Sequence, residues 1–500
     1  MSRSLGILAT IILLLFAVIA VQAANIQFFR ATSLQANPIN PRIVTASVQF
    51  PRGDIFAANG AVLARSVAQS SGFYPHLRVY PLGALTAGVV GFSGLQYGDW
   101  ALEAQYASTL TAHPLAPQSF AQLLAPTSAA DSITLMLQPK LQQIARNALA
   151  GQDGAVVVLD PRTGAVLSMY SNPTYNPAPL TSAVSSIAAA AWKVDTTNNG
   201  HGFPPLGLVA TQQTFPPGSS FKIITTAGVV VGKPSLLTKS YPQKNVVFFP
   251  TSNLSFHNFG GATCGGTITE MLPPSCDTGF ALVGLDVGAT LLSATANSFG
   301  YNKVPPLDLP GVVKSYFPPA SAFASDIPGL AYSAIGQKNV RTSALQNALV
   351  AAAVANGGVI KTPHFLNYIS GPNGTVVKRY APSTWLTPLT SSQAQQIVPL
   401  MQNVVKYGTL AGVGFPAADD VAGKTGIAQV GNGAKNTDDW VIAFAPASAP
   451  TVAVAVVLPF QPQSQEGAST AGPVARCMVE DALALQSGHP ASGTAMTCAK

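Results

Sequence analysis

Charge is scarce in this chain. Lys and Arg number 26 and Asp and Glu 19 among 500 residues, so charged side chains are only 9%, well below the usual quarter or so. The excess of +7 is spread thinly, with no Lys/Arg cluster, and nucleic acid is therefore excluded as the expected partner. Little charge does not here mean disorder, because 48% of the residues are hydrophobic and can build large cores in two or three domains. Histidine is also rare. The six (His76, His113, His201, His257, His364 and His489) are scattered without a His-x-x-x-His pair. The four cysteines (Cys264, Cys276, Cys477 and Cys498) fit no zinc spacing, so neither a metal nor another cofactor is expected. Two readings of the cysteines stand. In an extracytoplasmic protein Cys264–Cys276 and Cys477–Cys498 would be local disulfides; otherwise all are buried free thiols. No segment recurs at the roughly 20–50-residue period of repeat proteins.

What is present begins with an apolar run, Leu5 to Ala24. About 20 helical residues span roughly 30 Å, one bilayer core. Arg3 precedes the run and favours a cytoplasmic N-terminus. Val21-Gln22-Ala23 also suits a signal-peptide cleavage site, but the run is longer than the usual 7–15 or so apolar residues of such peptides. The expectation is a retained anchor over residues 1–24, with the rest of the chain outside the cytoplasm.

Residues 25–128 read as a separate extracytoplasmic region. Ala36 to Arg42 is a loop, Pro51 to Ile55 and Asn59 to Ala64 are short strands about a turn, and Leu102 to Tyr106 opens a short helix. Pro114 to Ala130 has the Pro, Ala and Ser content of a linker. Residues 129–490 form the third region. It opens with a strand at Asp131–Leu135, a helix over Gln138–Ala150, and two strands, Gly154–Leu159 and Ala165–Met169, about the turn Asp160-Pro161-Arg162-Thr163-Gly164. It ends with strands at Val421–Val430, Trp440–Ala445 and Val452–Leu458 and a helix within Glu466–Leu485. An apolar helix over Lys338–Asn356, stopped by Gly357-Gly358, lies between. Strands at both ends with a helical middle predict an α/β (α+β) layer on a mostly antiparallel sheet. Asp438 and Asp439 read as a loop leading into a strand, and Trp440 as core or, alternatively, as an active-site wall.

The chemistry concentrates at Phe215-Pro216-Pro217-Gly218-Ser219-Ser220-Phe221-Lys222. The prolines and glycine break the chain, an apolar helical run follows, and Ser219 falls at the helix start with Lys222 one turn on. A serine hydroxyl needs a base to become a nucleophile, and a lysine of depressed pKa can serve. The helix N-terminus adds positive potential where negative charge develops.

Two further segments complete a pattern. Ser275-Cys276-Asp277 follows the Ser219 helix, and Ala422-Gly423-Lys424-Thr425-Gly426-Ile427 lies in a strand. In order and spacing the three resemble the Ser-x-x-Lys, Ser-x-Asn and Lys-Thr-Gly motifs of penicillin-binding proteins and serine β-lactamases. Gly154 to Leu167 is similar to the opening hairpin of the transpeptidase domain, Ser333-Ala334-Ile335-Gly336-Gln337 to its Gly-Gln segment, and Trp440 to Pro446 to its penultimate strand. Arg52-Gly53-Asp54-Ile55, Arg78 to Gly83 and Leu102-Glu103 resemble the pedestal of class B penicillin-binding proteins, most of all the penicillin-binding protein A type of actinobacteria.

The resemblance implies a five-stranded antiparallel sheet flanked by helices, a small N-terminal pedestal and a membrane anchor. It implies a peptidoglycan D,D-transpeptidase acylated by β-lactams. Ser219 would attack the D-Ala-D-Ala bond of a stem peptide, Lys222 would be the base, and Ser275 would relay a proton to the leaving amine. Lys424 and Thr425 would hold the substrate carboxylate. The amides of Ser219 and Ile427 would form the oxyanion hole, with Gly426 permitting close approach. A SEDS-type membrane glycosyltransferase would be a partner. A D,D-carboxypeptidase or β-lactamase-like hydrolase, and a non-catalytic scaffold, are the competing readings. Two positions depart from the pattern. Asp277 replaces Asn, which removes a donor and opposes a neutral Lys222; the expectation is that it is protonated or engaged by Lys424. Ile427 replaces a common Thr, which predicts slower acylation by β-lactams.

Overall fold

A computed structural model describes residues 2–26, 30, 50–70, 75–114, 128–198, 200, 202–249, 255–431, 436–463 and 467–487. The expected loop at Ala36–Arg42 and most of the expected linker lie outside the described residues. The N-terminal run is one helix, Ser2–Ala24. Gly6–Ala24 has a mean hydropathy of 2.7 with none of it buried, so it is long and apolar enough to cross a membrane.

The core of the larger layer is a five-stranded antiparallel sheet. Its strands are β1 (Gly154–Leu159), β2 (Val166–Asn172), β3 (Ala422–Val430), β4 (Asn436–Ala445) and β5 (Val452–Pro462), in the order β2-β1-β5-β4-β3. β1, β4 and β5 are near-continuous runs of Val, Ala and Ile because both faces are covered. Helices Pro139–Leu149 and Gly467–Gln486 cover one face. Helix Ala344–Ala355 covers the other, with Lys222–Gly232 and Ser391–Lys406 around it. The edge strand β3 is left beside the turn Gly218–Phe221, which carries Ser219.

Two expectations are corrected here. The Ala-rich helix starts at Ala344 rather than Lys338, because Thr342 and Arg341 are drawn into bridges with Phe215 and Tyr316. Ser343 then caps the helix, its hydroxyl accepting from the Gln346 amide at 3.2 Å. Asp438 and Asp439 lie within β4 and are buried, at 2% and 0% exposure; Phe460 N–H and the Thr470 hydroxyl hold their carboxylates.

The N-terminal region is built on a second, six-stranded sheet. In order it runs Val376–Arg379, Leu366–Ser370, Ser132–Leu135, Ile55–Phe56, Val62–Ala68 and His76–Val79. Half of these strands therefore come from beyond residue 128. Cys264 and Cys276 form a disulfide, with Cα atoms 5.8 Å apart. The other expected pair reaches Cys498, which lies outside the described residues.

Candidate active site

Ser219 sits in a single 3₁₀ turn, Gly218–Phe221, that runs straight into helix Lys222–Gly232. The turn is pressed onto β3. Gly218 has φ +53°, and a Cβ there would lie 2.3 Å from the Ile427 carbonyl. Across the contact, a Cβ on Gly426 would lie 2.4 Å from the Pro217 carbonyl. Only glycine at both positions lets the turn approach the strand this closely. The neighbours Gly218, Ser220 and Phe221 are buried, whereas Ser219 is half-buried and opens onto a groove of about 1380 Å³. Ser275, Asp277, Thr425 and Ile427 line the same groove.

Lys222 and Lys424 are both fully buried. The Lys222 ammonium donates to Asp277 Oδ1 at 2.6 Å, to the Ser275 carbonyl at 2.7 Å and to Ser275 Oγ at 3.2 Å. Lys424 Nζ, reaching in from β3, donates to Ser275 Oγ at 2.8 Å and to the Thr425 carbonyl at 3.0 Å. One hydroxyl thus stands between two lysines. Ser219 Oγ donates to Asp277 Oδ1 at 3.4 Å. Thr425 Oγ1 is 2.7 Å from Thr409 Oγ1. All eight residues singled out in the sequence, Ser219, Lys222, Ser275, Asp277, Lys424, Thr425, Gly426 and Ile427, meet here.

The expected partner of Asp277 is corrected. Lys222, not Lys424, engages its carboxylate, because Asp277 opens helix Asp277–Val287 facing the first turn of the Lys222 helix. Burial still holds the Lys222 ammonium below its usual pKa, with the charge and hydrogen bond of Asp277 pushing back. Lys424 is held further down, first by burial and then by the positive charge of Lys222. Burial thus favours the neutral form of both lysines, opposed at Lys222 by Asp277.

Local structure explains why Ser275 points between them. Its backbone is left-handed, φ +60°, at the end of a turn in which Cys276 N–H donates to the Met271 carbonyl at 2.9 Å. The Cys264–Cys276 disulfide ties this turn to the segment around Cys264, which also lines the groove. Asn347 and Phe259 help to form the site but carried no signal in the sequence, whereas Gln337 lay in the Gly-Gln segment. The Asn347 amide donates to Ser220 Oγ at 3.2 Å, which in turn donates to the Pro217 carbonyl at 2.9 Å. Gln337, at the end of the Gly-Gln segment, donates to the Ile427 carbonyl at 3.4 Å. Phe259 N–H reaches Asp277 Oδ2 at 3.3 Å from the wall formed by residues 255–264. Among the described residues no cluster of His, Cys, Asp or Glu could hold a metal ion.

A family model described as the penicillin binding protein transpeptidase domain matches residues 154–480. One described as the penicillin binding protein A dimerisation domain matches residues 52–128. The chain is 33% identical over 507 residues to the peptidoglycan D,D-transpeptidase PbpA of Mycolicibacterium smegmatis, an alignment covering 97% of this chain and 99% of the relative. The crystal structure of PBPA from Mycobacterium tuberculosis superposes with a TM-score of 0.77 at 31% identity, covering 87% of this chain and 99% of that one. The penicillin G acyl-enzyme complex of the same M. tuberculosis protein gives the same TM-score, 0.77, at the same identity, 31%, and the same coverage, 87% and 99%. With an antiparallel sheet, two buried lysines about one serine hydroxyl and a family match over most of its length, this chain belongs to the penicillin-binding protein transpeptidase family.

Proposed function

We propose that this protein is a membrane-anchored peptidoglycan D,D-transpeptidase that β-lactams acylate, with Ser219 as the nucleophile. The observation that carries the proposal is Ser275 Oγ held by both buried lysines, at 3.2 Å and 2.8 Å, beside the half-buried Ser219. Lys222 in its neutral form takes the Ser219 proton as Oγ bonds to the penultimate D-Ala carbonyl. The N–H groups of Ser219 and Ile427 stabilise the oxyanion. Collapse breaks the peptide bond, and Ser275 passes a proton from the lysine pair to the leaving D-Ala amine. Lys424 and Thr425 hold the terminal carboxylate of the donor stem, or that of the drug. An amine of a second stem then attacks the ester, neutral Lys222 takes the amine's proton, and the proton returns to Ser219 Oγ as the ester bond breaks. Asp277 tunes Lys222, and Ile427 contributes its amide rather than a hydroxyl. The relative's penicillin G complex supports β-lactams as ligands.

In this reading residues 1–24 are the anchor, 25–128 the pedestal and 129–490 the catalytic domain, with the catalytic domain on the extracytoplasmic side. A SEDS-type membrane glycosyltransferase supplies the glycan strands that the enzyme cross-links. Labelling of the full chain in detergent with a fluorescent penicillin, beside Ser219→Ala, tests the nucleophile. A band in the wild type that vanishes in the variant is expected; a band that persists would refute it. Incubation with lipid II and a glycosyltransferase separates the activities: cross-linked dimers are expected, and release of D-Ala without cross-links would indicate a hydrolase.

A further inference from the structure

The turn that carries Ser219 has a support outside the three motifs. Pro216 and Pro217 contribute no N–H, so this stretch cannot pair with β3 through a backbone ladder. Its carbonyls need other donors. On the helical side Ser220 Oγ, itself held by Asn347, donates to the Pro217 carbonyl, while the turn's own Gly218 N–H is taken up by the Gly336 carbonyl at 3.0 Å. On the sheet side the donor is Trp440. Its indole Nε1 donates to the Pro216 carbonyl at 2.9 Å, and the side chain is 0% exposed.

Trp440 stands directly opposite Gly426 in the β3–β4 pair. A Cβ on Gly426 would lie 3.0 Å from the Trp440 Cβ, so the indole leaves the sheet in the space that the missing side chain vacates. Phe215 closes on the ring edge-on, with centroids 6.2 Å apart, and Phe203 backs Phe215 at 5.5 Å. One rigid side chain therefore touches both components of the proposed oxyanion hole: the strand next to Ile427 and the turn before Ser219. Trp440 itself does not line the groove.

We propose that Trp440 is a positioning residue: its hydrogen bond to Pro216 sets the separation of the Ser219 and Ile427 amides, and so the stabilisation of the tetrahedral intermediate. The proposal rests on the reading of Ser219 as the nucleophile. Oxyanion donors act only when they are aimed at the oxygen position of the intermediate. Loss of the indole N–H leaves a buried carbonyl unsatisfied and lets the turn shift. Substrate binding, which uses Lys424 and Thr425, is not affected, and neither are the lysines that set the pH profile.

The test uses the full chain in detergent. Trp440→Phe is compared with the wild type, together with incorporation of the benzothiophene analogue of tryptophan at position 440, which replaces only N–H by sulfur. Acylation by benzylpenicillin is resolved into Kd and the acylation rate constant, and a boronic acid reports on the tetrahedral adduct. For both variants the rate constant is expected to fall about tenfold and boronate affinity to fall in parallel. Kd and the midpoint of the pH profile stay unchanged. Phe444→Leu, a core change further along the same strand, lowers the melting temperature but keeps the rate constant. An unchanged rate in the analogue-bearing protein, a loss confined to Kd, or an equal rate loss in Phe444→Leu would overturn the proposal. A wild type that is not acylated at all overturns the Ser219 reading with it; an acylated wild type matched by both variants overturns only the role of Trp440.

Discussion

Lys222 donates to three acceptors, which is all an ammonium can satisfy: Asp277 Oδ1, the Ser275 carbonyl and Ser275 Oγ. In its proposed role as base it must first lose a proton. Burial favours that loss, and the Asp277 charge opposes it. A negative neighbour raises the pH at which a lysine deprotonates, so removing it lowers that pH. Asp277→Asn is expected to move the acid limb of the acylation profile down by on the order of one pH unit or more, read as the acylation rate constant from pH 5 to 9. Superimposable profiles would show that Asp277 does not tune the base. A second buried carboxyl affects stability instead. Burial pushes Asp438 up to about 7, from about 3.9 in an unfolded chain. Between those values the folded state keeps a proton that the unfolded state has lost, so stability falls as the pH rises from about 4 to about 7. Asp438→Asn keeps an acceptor for Phe460 N–H and removes the titration. Its melting temperature, relative to wild type, should be higher at pH 8 than at pH 5. A difference that does not vary with pH would count against this. The sequence showed the Asp438-Asp439 pair but not its burial, because nothing local distinguishes a strand end from the loop before it.

At the scale of elements, the pedestal is held by charge as well as by its small core. Glu103, on helix Ala101–Gln105, accepts from Arg52 Nε at 2.6 Å and from Arg78 Nε at 2.7 Å. Arg52 also reaches Asp99 at 2.9 Å, and Tyr80 OH donates to Glu103 at 3.1 Å. Glu103 is completely buried, and both guanidiniums nearly so. Removing one member of such a network strands the others. Glu103→Gln is expected to cost about 3–5 kcal/mol of local stability, read as faster amide exchange in strands Val62–Ala68 and His76–Val79. Unaltered exchange would mean that the apolar contacts suffice. Arg52, Arg78 and Glu103 stood out in the sequence through the resemblance of their segments to a class B pedestal. That they form one ion network did not, since 51 residues separate Arg52 from Glu103. The Ala-rich helix teaches the same lesson. Its end at Gly357-Gly358 was readable from local chemistry, but its start was not, because the bridge from Thr342 to Phe215 is a tertiary contact.

For the whole molecule, the composite six-stranded sheet ties the N-terminal region to the catalytic layer. Strand Ser132–Leu135 pairs in parallel with Ile55–Phe56 on one side and antiparallel with Leu366–Ser370 on the other. Asp308 adds a second tie: it accepts from Phe365 and Leu366 amides at 2.7 and 2.9 Å and from Tyr106 OH at 2.8 Å. A chain beginning at residue 129 would expose a sheet edge and the apolar surface beneath it. It is expected to aggregate, or to resist proteolysis far less than the full protein, as measured by size-exclusion chromatography and limited proteolysis. A monodisperse, penicillin-reactive fragment would contradict this. By itself the sequence determined the apolar N-terminal helix, the strand–helix–strand plan of the catalytic layer and the three segments that meet at Ser219. Each of these rests on local signals: hydrophobic period, Pro/Gly breaks, and reactive side chains at fixed spacing. Only the tertiary structure decided that Asp277 faces Lys222, that Ser275 lies between two buried lysines, that the Trp440 indole donates to the turn before Ser219, and that strands from three distant segments share one sheet. Those outcomes depend on which faces are buried against each other, and burial is a property of the assembled layers rather than of any stretch of chain.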